Sequence, residues 1–181
     1  MFLDPSSHVT ASEELAQYSL HQNNPQDLNY RKFLAPAKAA VVKNLAALSK
    51  GIDFGCGPGP TLSVMLEEAG FKVQKFDKYF YPDPSVLGEI YDFVTCTEVI
   101  EHVHDLEAFI QQLLVLLRPG GLLVLMTRIL QEDIEFKSWH YRIDPTHISF
   151  LRPRTVDVMC ERYGLTLLEL TGQLIVLRKG Q

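Results

Sequence analysis

The chain has 181 residues, which is the size of one globular domain. Apolar residues make up 46% of it and charged residues 22%, a balance that excludes a disordered, collagen-like or coiled-coil protein. The net charge of −5 disfavours non-specific binding to nucleic acid. No apolar run reaches the roughly 18 residues of a membrane span, and we expect no secretory signal. Three scattered cysteines indicate reduced thiols, so we expect a cytoplasmic protein.

Residues 1–48 predict a helical cap, which precedes a core at 49–181 in the same domain. Thr10 and the acidic residues after it are typical of a helix start, and Asn23-Asn24-Pro25 marks a helix end. A second helix is predicted over 27–48. We expect an interruption near Pro36, because proline lacks the N–H that a helix interior uses.

From residue 51 to residue 128 short apolar strands alternate with helices. This alternation predicts a three-layer α/β domain with a mostly parallel sheet. Two further strands, on either side of Thr171-Gly172, predict an antiparallel terminal hairpin.

A glycine-rich loop, Gly55-Cys56-Gly57-Pro58-Gly59, follows the first core strand. Glycine allows positive φ and lets backbone N–H groups approach a ligand closely. Asp77 ends the next strand, where a carboxylate can accept hydrogen bonds from ribose hydroxyls. The third glycine comes one residue earlier than in the dinucleotide fingerprint, and two prolines remove N–H donors that a pyrophosphate needs. The loop therefore favours a ribose-containing cofactor without phosphates over a nicotinamide dinucleotide.

The loop, Asp77, the segment 91–102 and the segment 117–123 together resemble the class I S-adenosylmethionine-dependent methyltransferases. They occur in the order and spacing of that family, and the resemblance covers roughly residues 40–181. It implies a Rossmann-like sheet of six or seven strands with an N-terminal helical extension. It also implies that S-adenosylmethionine is the cofactor and that the core binds it through Asp53, Gly55, Cys56, Gly57, Gly59, Asp77, Thr97 and Glu98.

The chain departs from the family at residues 78–90, which are too few for the usual third strand and its helix. We expect an abbreviated sheet edge there. Because of this departure, the sequence does not predict which residues contact the adenine.

The sequence Glu98-Val99-Ile100-Glu101-His102 follows the third core strand. If a helical turn begins there, Glu98, Glu101 and His102 share one face. Two carboxylates and an imidazole provide three ligands of a metal site, and His147 is a candidate fourth ligand.

This cluster resembles two branches of the family, the metal-dependent quinone-ring O-methyltransferases and the small-RNA 2′-O-methyltransferases. The resemblance implies a divalent metal (Mg²⁺, Mn²⁺ or Zn²⁺) on Glu98, Glu101, His102 and His147, with Glu98, His102 and His147 as the catalytic residues. In the alternative interpretation no metal binds, Glu98 contacts the cofactor and His102 caps a turn.

Five residues are candidates for contact with the methyl acceptor. Trp139, His140 and Tyr141 lie in a segment without periodicity, 128–153, and are predicted either to stack on an acceptor ring or to pack locally. Tyr30 and Arg31 are either lid residues or part of ordinary helix packing.

Together these features predict an enzyme, a methyltransferase that methylates an oxygen of a small molecule. The sequence does not exclude methylation of a carbon or a nitrogen atom. An RNA-terminus 2′-O-methyltransferase and a non-catalytic cofactor-binding subunit are the alternatives. Nucleic acid is not an expected partner, and the sequence makes no prediction of the oligomeric state.

Overall fold

The computed structural model describes residues 1–4, 8–19 and 23–181. In chain order its helices and strands are α1 (Ala11–Tyr18), α2 (Leu28–Asn44), β1 (Lys50–Phe54), α3 (Thr61–Glu67), β2 (Lys72–Phe76), β3 (Tyr91–Thr97), α4 (Leu106–Val115), β4 (Leu117–Met126), α5 (Pro153–Tyr163), β5 (Leu165–Leu170) and β6 (Leu174–Lys179). Short 3₁₀ turns occur at Pro84–Gly88, Ile100–His102 and His140–Ile143.

The strands of the described chain form one six-stranded sheet in the order β2-β1-β3-β4-β6-β5. β1 pairs in parallel with β2 and with β3, and β3 pairs in parallel with β4. β6 is antiparallel to both β4 and β5. The predicted fold class is confirmed, including the antiparallel terminal hairpin.

Helices cover both faces of this sheet. Phe93 packs with α2 and α3, and its neighbour Val94 packs with α4 and α5. Adjacent strand residues point to opposite faces, so apolar residues at both positions bury β3 on two sides. β4 is buried on both faces in the same way, from Gly120 to Met126.

The N-terminal helices differ in detail from their predicted bounds. α1 ends at Tyr18, and residues 20–22 of the predicted helix lie outside the described residues. The interruption expected at Pro36 is wrong, because α2 continues through it. The buried side of α2 holds the helix against the sheet on both sides of the proline, through Leu34, Ala37, Ala40 and Val41.

The sheet edge beside β2 is abbreviated, as expected. Residues 78–90 form a short 3₁₀ turn and one isolated bridge between Asp77 and Tyr81, and contain no strand of their own. β2 is therefore an outer strand, and the loop that follows it lies close to the glycine loop.

The segment 128–153 is packed although it lacks periodicity. A separate apolar cluster within it consists of one leucine and three aromatic residues, Leu130, Trp139, Tyr141 and Phe150. Phe2 pairs with Ser149 through an isolated bridge, so the start of the chain lies along this segment. Within the described residues, no helix has the length and apolar character that a membrane crossing requires.

Candidate active site

A cavity of about 850 Å³ opens at the carboxyl ends of β1, β2 and β3. Ligands bind at this edge in open α/β sheets. Six of the predicted cofactor residues line the cavity, namely Gly55, Cys56, Gly57, Asp77, Thr97 and Glu98. Asp53 and Gly59 are not among the described residues that line it.

The glycine loop has the backbone geometry that the sequence predicts. Gly55 and Gly57 have φ values of 76° and 66°, which are costly for residues with a side chain. A Cβ on Gly55 would also overlap Val99. Gly57 N–H donates to Asp77 Oδ2 at 3.0 Å, so the loop and the candidate ribose-binding carboxylate hold each other in place.

Asp77 keeps acceptor capacity despite these bonds. Its Oδ1 accepts from Tyr79 N at 2.8 Å and from Phe80 N at 3.0 Å. A carboxylate provides about four lone-pair sites and these three bonds use three of them, so one further hydrogen bond, to Oδ2, remains possible. The position and orientation of Asp77 are compatible with the predicted ribose contact.

Asp53 and Gly59, two of the candidate cofactor residues, support the loop from outside the lining of the described cavity. Asp53 is buried and accepts hydrogen bonds from Ser63 Oγ at 2.8 Å and Thr95 Oγ1 at 2.9 Å, which joins β1 to α3 and β3. A Cβ on Gly59 would overlap the carbonyl of Asn23. Gly59 therefore allows the segment before α2 to close over the loop.

The Glu-x-x-Glu-His residues lie where β3 ends. Glu98 has a φ of 53°, a left-handed conformation that redirects the chain into the 3₁₀ turn at Ile100–His102. One side-chain ligand atom from each of Glu101, His102 and His147 lies within 4.8 Å of the other two. Glu98 is outside this set of three but lines the cavity beside it.

Both histidines are held by a backbone carbonyl. His102 Nδ1 lies 3.0 Å from Thr146 O, and His147 Nδ1 lies 2.7 Å from Tyr141 O. A carbonyl only accepts, so each Nδ1 carries a proton, and Nε2 is the ring nitrogen whose lone pair a metal can use. This is the usual support of a metal-binding histidine.

Glu101 is buried and Glu98 is half-buried, and each has one inaccessible oxygen without a partner. Within the described part of the chain, Glu98 Oε1 and Glu101 Oε2 are the buried side-chain atoms that lack a hydrogen bond. Burial raises the pKa of Glu98 to about 7, and burial together with the nearby Glu98 raises the pKa of Glu101 to about 8. Burial lowers the pKa of His102 to about 4. Orphaned carboxylate oxygens beside imidazole lone pairs fit a divalent cation.

Of the five predicted acceptor residues, the structure places only Tyr30 in the lining of the described cavity. Arg31 forms an ion pair with Glu68 instead. Trp139 and Tyr141 are buried in the apolar cluster of the segment 128–153. His140 is exposed and lies outside the cavity lining. This geometry favours the local-packing interpretation for Trp139 and Tyr141.

The sequence predicts a helical cap that includes α1, but not which residues of α1 line the cavity. Tyr18 lines the cavity, and its ring meets the His102 ring edge-on with centroids 5.2 Å apart. Glu14 also lines it and accepts hydrogen bonds from Tyr18, Lys78 and Tyr79. The spacing of Tyr18 predicted an apolar helix stripe, and no local signal distinguishes that role from a cavity wall.

The sheet has helices on both faces, and its carboxyl edge carries a glycine loop and an aspartate placed to bind a ribose. These features define a class of cofactor-binding enzyme. A family described as a methyltransferase domain matches residues 26–170. The chain belongs to this family and is a class I S-adenosylmethionine-dependent methyltransferase.

Curated relatives share this assignment. A protein of Coxiella burnetii named ubiquinone biosynthesis O-methyltransferase is 27% identical over 94% of this chain and 88% of its own length. A protein of the same name from another strain is 33% identical over 84% of this chain and 75% of its own. A third, from Marinobacter nauticus, is 31% identical over the same shares of 84% and 75%.

Solved structures share the fold. A 1,6-didemethyltoxoflavin-N1-methyltransferase of Burkholderia thailandensis, with bound S-adenosylhomocysteine, matches with a TM-score of 0.70 and 15% identity, over 99% of this chain and 94% of that one. The magnesium protoporphyrin IX methyltransferase of Synechocystis PCC 6803 matches with a TM-score of 0.62 and 15% identity, over 94% and 95% of the two chains. At these identities the likeness concerns the fold alone.

Proposed function

We propose that this methyltransferase transfers the methyl group to a hydroxyl of a small aromatic acceptor with two neighbouring oxygens. The observation that carries the proposal is the pair of orphaned carboxylate oxygens, Glu98 Oε1 and Glu101 Oε2, beside two oriented histidines. The names of the curated relatives support an oxygen acceptor and a ring of quinone type.

The cavity has walls suited to an aromatic ring. Tyr18, Tyr30 and Phe33 line it on the side of the N-terminal helices, and His102 and His147 line it beside β3. Aromatic rings favour edge-to-face and offset contacts with one another, worth about 0.5–1.5 kcal/mol each beyond buried area. These residues exclude water and orient the acceptor.

When bound, S-adenosylmethionine supplies an electrophilic methyl group on its sulfonium. The chain holds the cofactor through Asp77 and through the glycine loop, whose residues Gly55 and Gly57 line the cavity without side chains and let the ligand approach the backbone closely. It also holds the acceptor oxygen in line with the methyl group, which is the main catalytic contribution in a displacement. The Glu98 carboxylate accepts the proton of the acceptor hydroxyl, because the residue lines the cavity and its pKa is near neutral.

The proposed metal ligands are Glu101, His102 and His147, with Glu98 beside them. A bound divalent cation would lower the pKa of a hydroxyl that contacts it. The three ligand atoms lie close enough together to share one ion, and the buried oxygen of Glu101 would gain the partner it lacks.

The test combines turnover with metal binding. We expect the enzyme to methylate 3,4-dihydroxybenzoate, a catechol probe, and to leave 4-hydroxybenzoate unmethylated. Calorimetric titration of Mg²⁺, Mn²⁺ and Zn²⁺ into metal-free protein saturated with S-adenosylhomocysteine should show one site. His147→Ala should abolish the site, whereas His140→Ala, at an exposed histidine outside the cavity, should leave it intact.

Two results would contradict the proposal. Methylation of the terminal ribose of a short RNA, without methylation of catechols, would favour the RNA-terminus alternative. Binding of S-adenosylhomocysteine without turnover on any acceptor would favour the non-catalytic subunit. The cytosolic location stays a prediction, which the three free cysteines support.

A further inference from the structure

Tyr141 contacts the proposed metal ligands with two different parts of the residue. It lies in the 3₁₀ turn at His140–Ile143, and its side chain is buried. Its hydroxyl reaches the two glutamates, and its backbone carbonyl reaches His147. The segment that carries it is distant in sequence from the end of β3, so only the fold brings these groups together.

The hydroxyl determines which carboxylate oxygens stay available. Tyr141 Oη donates to Glu101 Oε1, and it lies 3.3 Å from Glu98 Oε2 and 3.2 Å from Thr127 Oγ1. A phenol has a single proton, and the short contact assigns that proton to Glu101. Each glutamate thus has one oxygen beside the Tyr141 hydroxyl and one oxygen without a partner.

The carbonyl determines the orientation of the imidazole. Tyr141 O accepts the proton on His147 Nδ1 at 2.7 Å, which leaves the lone pair on Nε2. The two rings also pack with centroids 4.2 Å apart. The same residue therefore orients a carboxylate through its side chain and an imidazole through its backbone.

We propose that Tyr141 is a positioning residue that presents Glu101 and His147 to a divalent cation; this inference rests on the metal site of the proposed function. Outer partners of this kind typically change metal affinity by roughly 10–100-fold when they are removed. The ring of Tyr141 stays in place without its hydroxyl, because Trp139 and Phe150 belong to the same apolar cluster.

The experiment removes the hydroxyl alone. Tyr141→Phe keeps the ring and the carbonyl, so only the bonds to the glutamates and Thr127 are lost. Tyr91→Phe is the matched control, since Tyr91 is also buried and its hydroxyl donates to Val86 O at 2.7 Å, outside the cavity lining. Mn²⁺ is titrated into each metal-free protein saturated with S-adenosylhomocysteine, and turnover of the catechol probe is followed against Mn²⁺ concentration.

We expect Tyr141→Phe to bind Mn²⁺ roughly 10–100-fold more weakly than wild type. Affinity for S-adenosylhomocysteine should be unchanged, and turnover should recover at saturating Mn²⁺. Tyr91→Phe should match wild type in all three measurements. A purely structural role of the hydroxyl would instead weaken both ligands together, without recovery, and that result overturns the inference.

Failure of the inference is distinguishable from failure of the metal proposal. If wild type and Tyr141→Phe bind Mn²⁺ equally well, Tyr141 is not a positioning residue and the metal site stands. If wild type binds no divalent cation, both the metal site and the inference are overturned. In that case turnover of the catechol probe still tests the methyltransferase proposal by itself.

Discussion

Glu98 combines an unusual backbone conformation with an orphaned side-chain oxygen. Its φ of 53° is uncommon outside glycine, and such conformations cost about 1–3 kcal/mol. The bond from Glu98 N to Met126 O, 2.8 Å long, holds the residue at the edge of the sheet. The turn that follows places Glu101 and His102 close to His147. Strain of this kind is concentrated at functional sites.

Glu98→Gln tests the proton acceptor. The amide keeps the size of the side chain but cannot take a proton at neutral pH, so turnover of the catechol probe should fall by roughly 10²–10⁴-fold. Equilibrium binding of S-adenosylhomocysteine should change little. Glu132→Gln, at an exposed position outside the cavity lining, is the control and should behave like wild type. Full turnover in Glu98→Gln would remove Glu98 from the chemistry.

The buried glutamates predict a pH dependence of the metal-free protein. Burial holds the pKa of Glu98 at about 7 and of Glu101 at about 8, above the value of about 4.3 in an unfolded chain. Protons then bind more tightly to the folded state, so this stabilisation is complete at low pH and is lost as the pH rises through these values. His102, with a pKa of about 4, is neutral in both states above roughly pH 7 and adds no opposing slope there.

The free energy of unfolding should therefore fall between about pH 7 and about pH 8.5, by an amount on the order of 2 kcal/mol. Urea denaturation in the presence of a chelator measures it. Glu101→Gln should show a weaker pH dependence because it lacks one titrating group. Stability that rises over this range would contradict the assignment of buried, protonated carboxyls.

At the scale of elements, α1 closes one side of the cavity through Glu14. Its carboxylate accepts from Tyr79 Oη at 2.9 Å and from Lys78 Nζ at 2.9 Å, and both donors belong to the loop after β2. Thr10 caps the start of the helix in a capping box with Glu13. A helix of 8 residues is marginal by itself, so these contacts decide whether it stays in place.

Glu14→Gln should loosen α1. A hydrogen bond to a charged group is worth about 1.5–3 kcal/mol, so amide exchange within α1 should become faster by about tenfold or more. The apparent affinity for S-adenosylmethionine should also weaken, because Glu14 and Tyr18 line the cavity. Glu67→Gln removes an ion pair with Lys75 and is the control. Unchanged exchange in α1 would show that other contacts hold the helix.

At the scale of the whole molecule, the cavity is built from three regions of the chain. The core strands provide the glycine loop and Asp77, the N-terminal segments provide Tyr18, Asn23 and Tyr30, and the loop before α5 provides His147. A ligand that fills this cavity contacts all three regions, and it stabilises the folded state in proportion to its affinity.

S-adenosylhomocysteine at 100 times its Kd should add about 2.7 kcal/mol to stability. For a chain of this size that raises Tm by roughly 5–10 °C. NAD should give no shift, since Pro58 and Pro60 leave the loop without two N–H donors that a pyrophosphate needs. A shift with NAD alone would contradict the cofactor assignment.

Local sequence patterns predict the fold class and six of the residues that line the cavity at the carboxyl edge of the sheet. Apolar runs between helical segments specify a covered parallel sheet, and glycines at 55 and 57 mark positions where the backbone takes positive φ. The proximity of Glu101 and His102 also follows from the sequence, because they are adjacent, whereas Glu98 lies outside the group that includes His147 and its metal role stays a prediction. Asp77 was found because its place at the end of a strand depends on local spacing alone.

Which other side chains line the cavity depends on contacts between distant segments of the chain. Asp53 lies just before the glycine loop in sequence, yet its carboxylate accepts hydrogen bonds from Ser63 and Thr95 and is buried away from the cavity. Tyr141 is an aromatic residue of the kind that can stack on an acceptor ring, but its hydroxyl contacts Glu98 and Glu101 instead. Each of these positions depends on partners from distant parts of the chain, and spacing within one segment carries no information about contacts between segments.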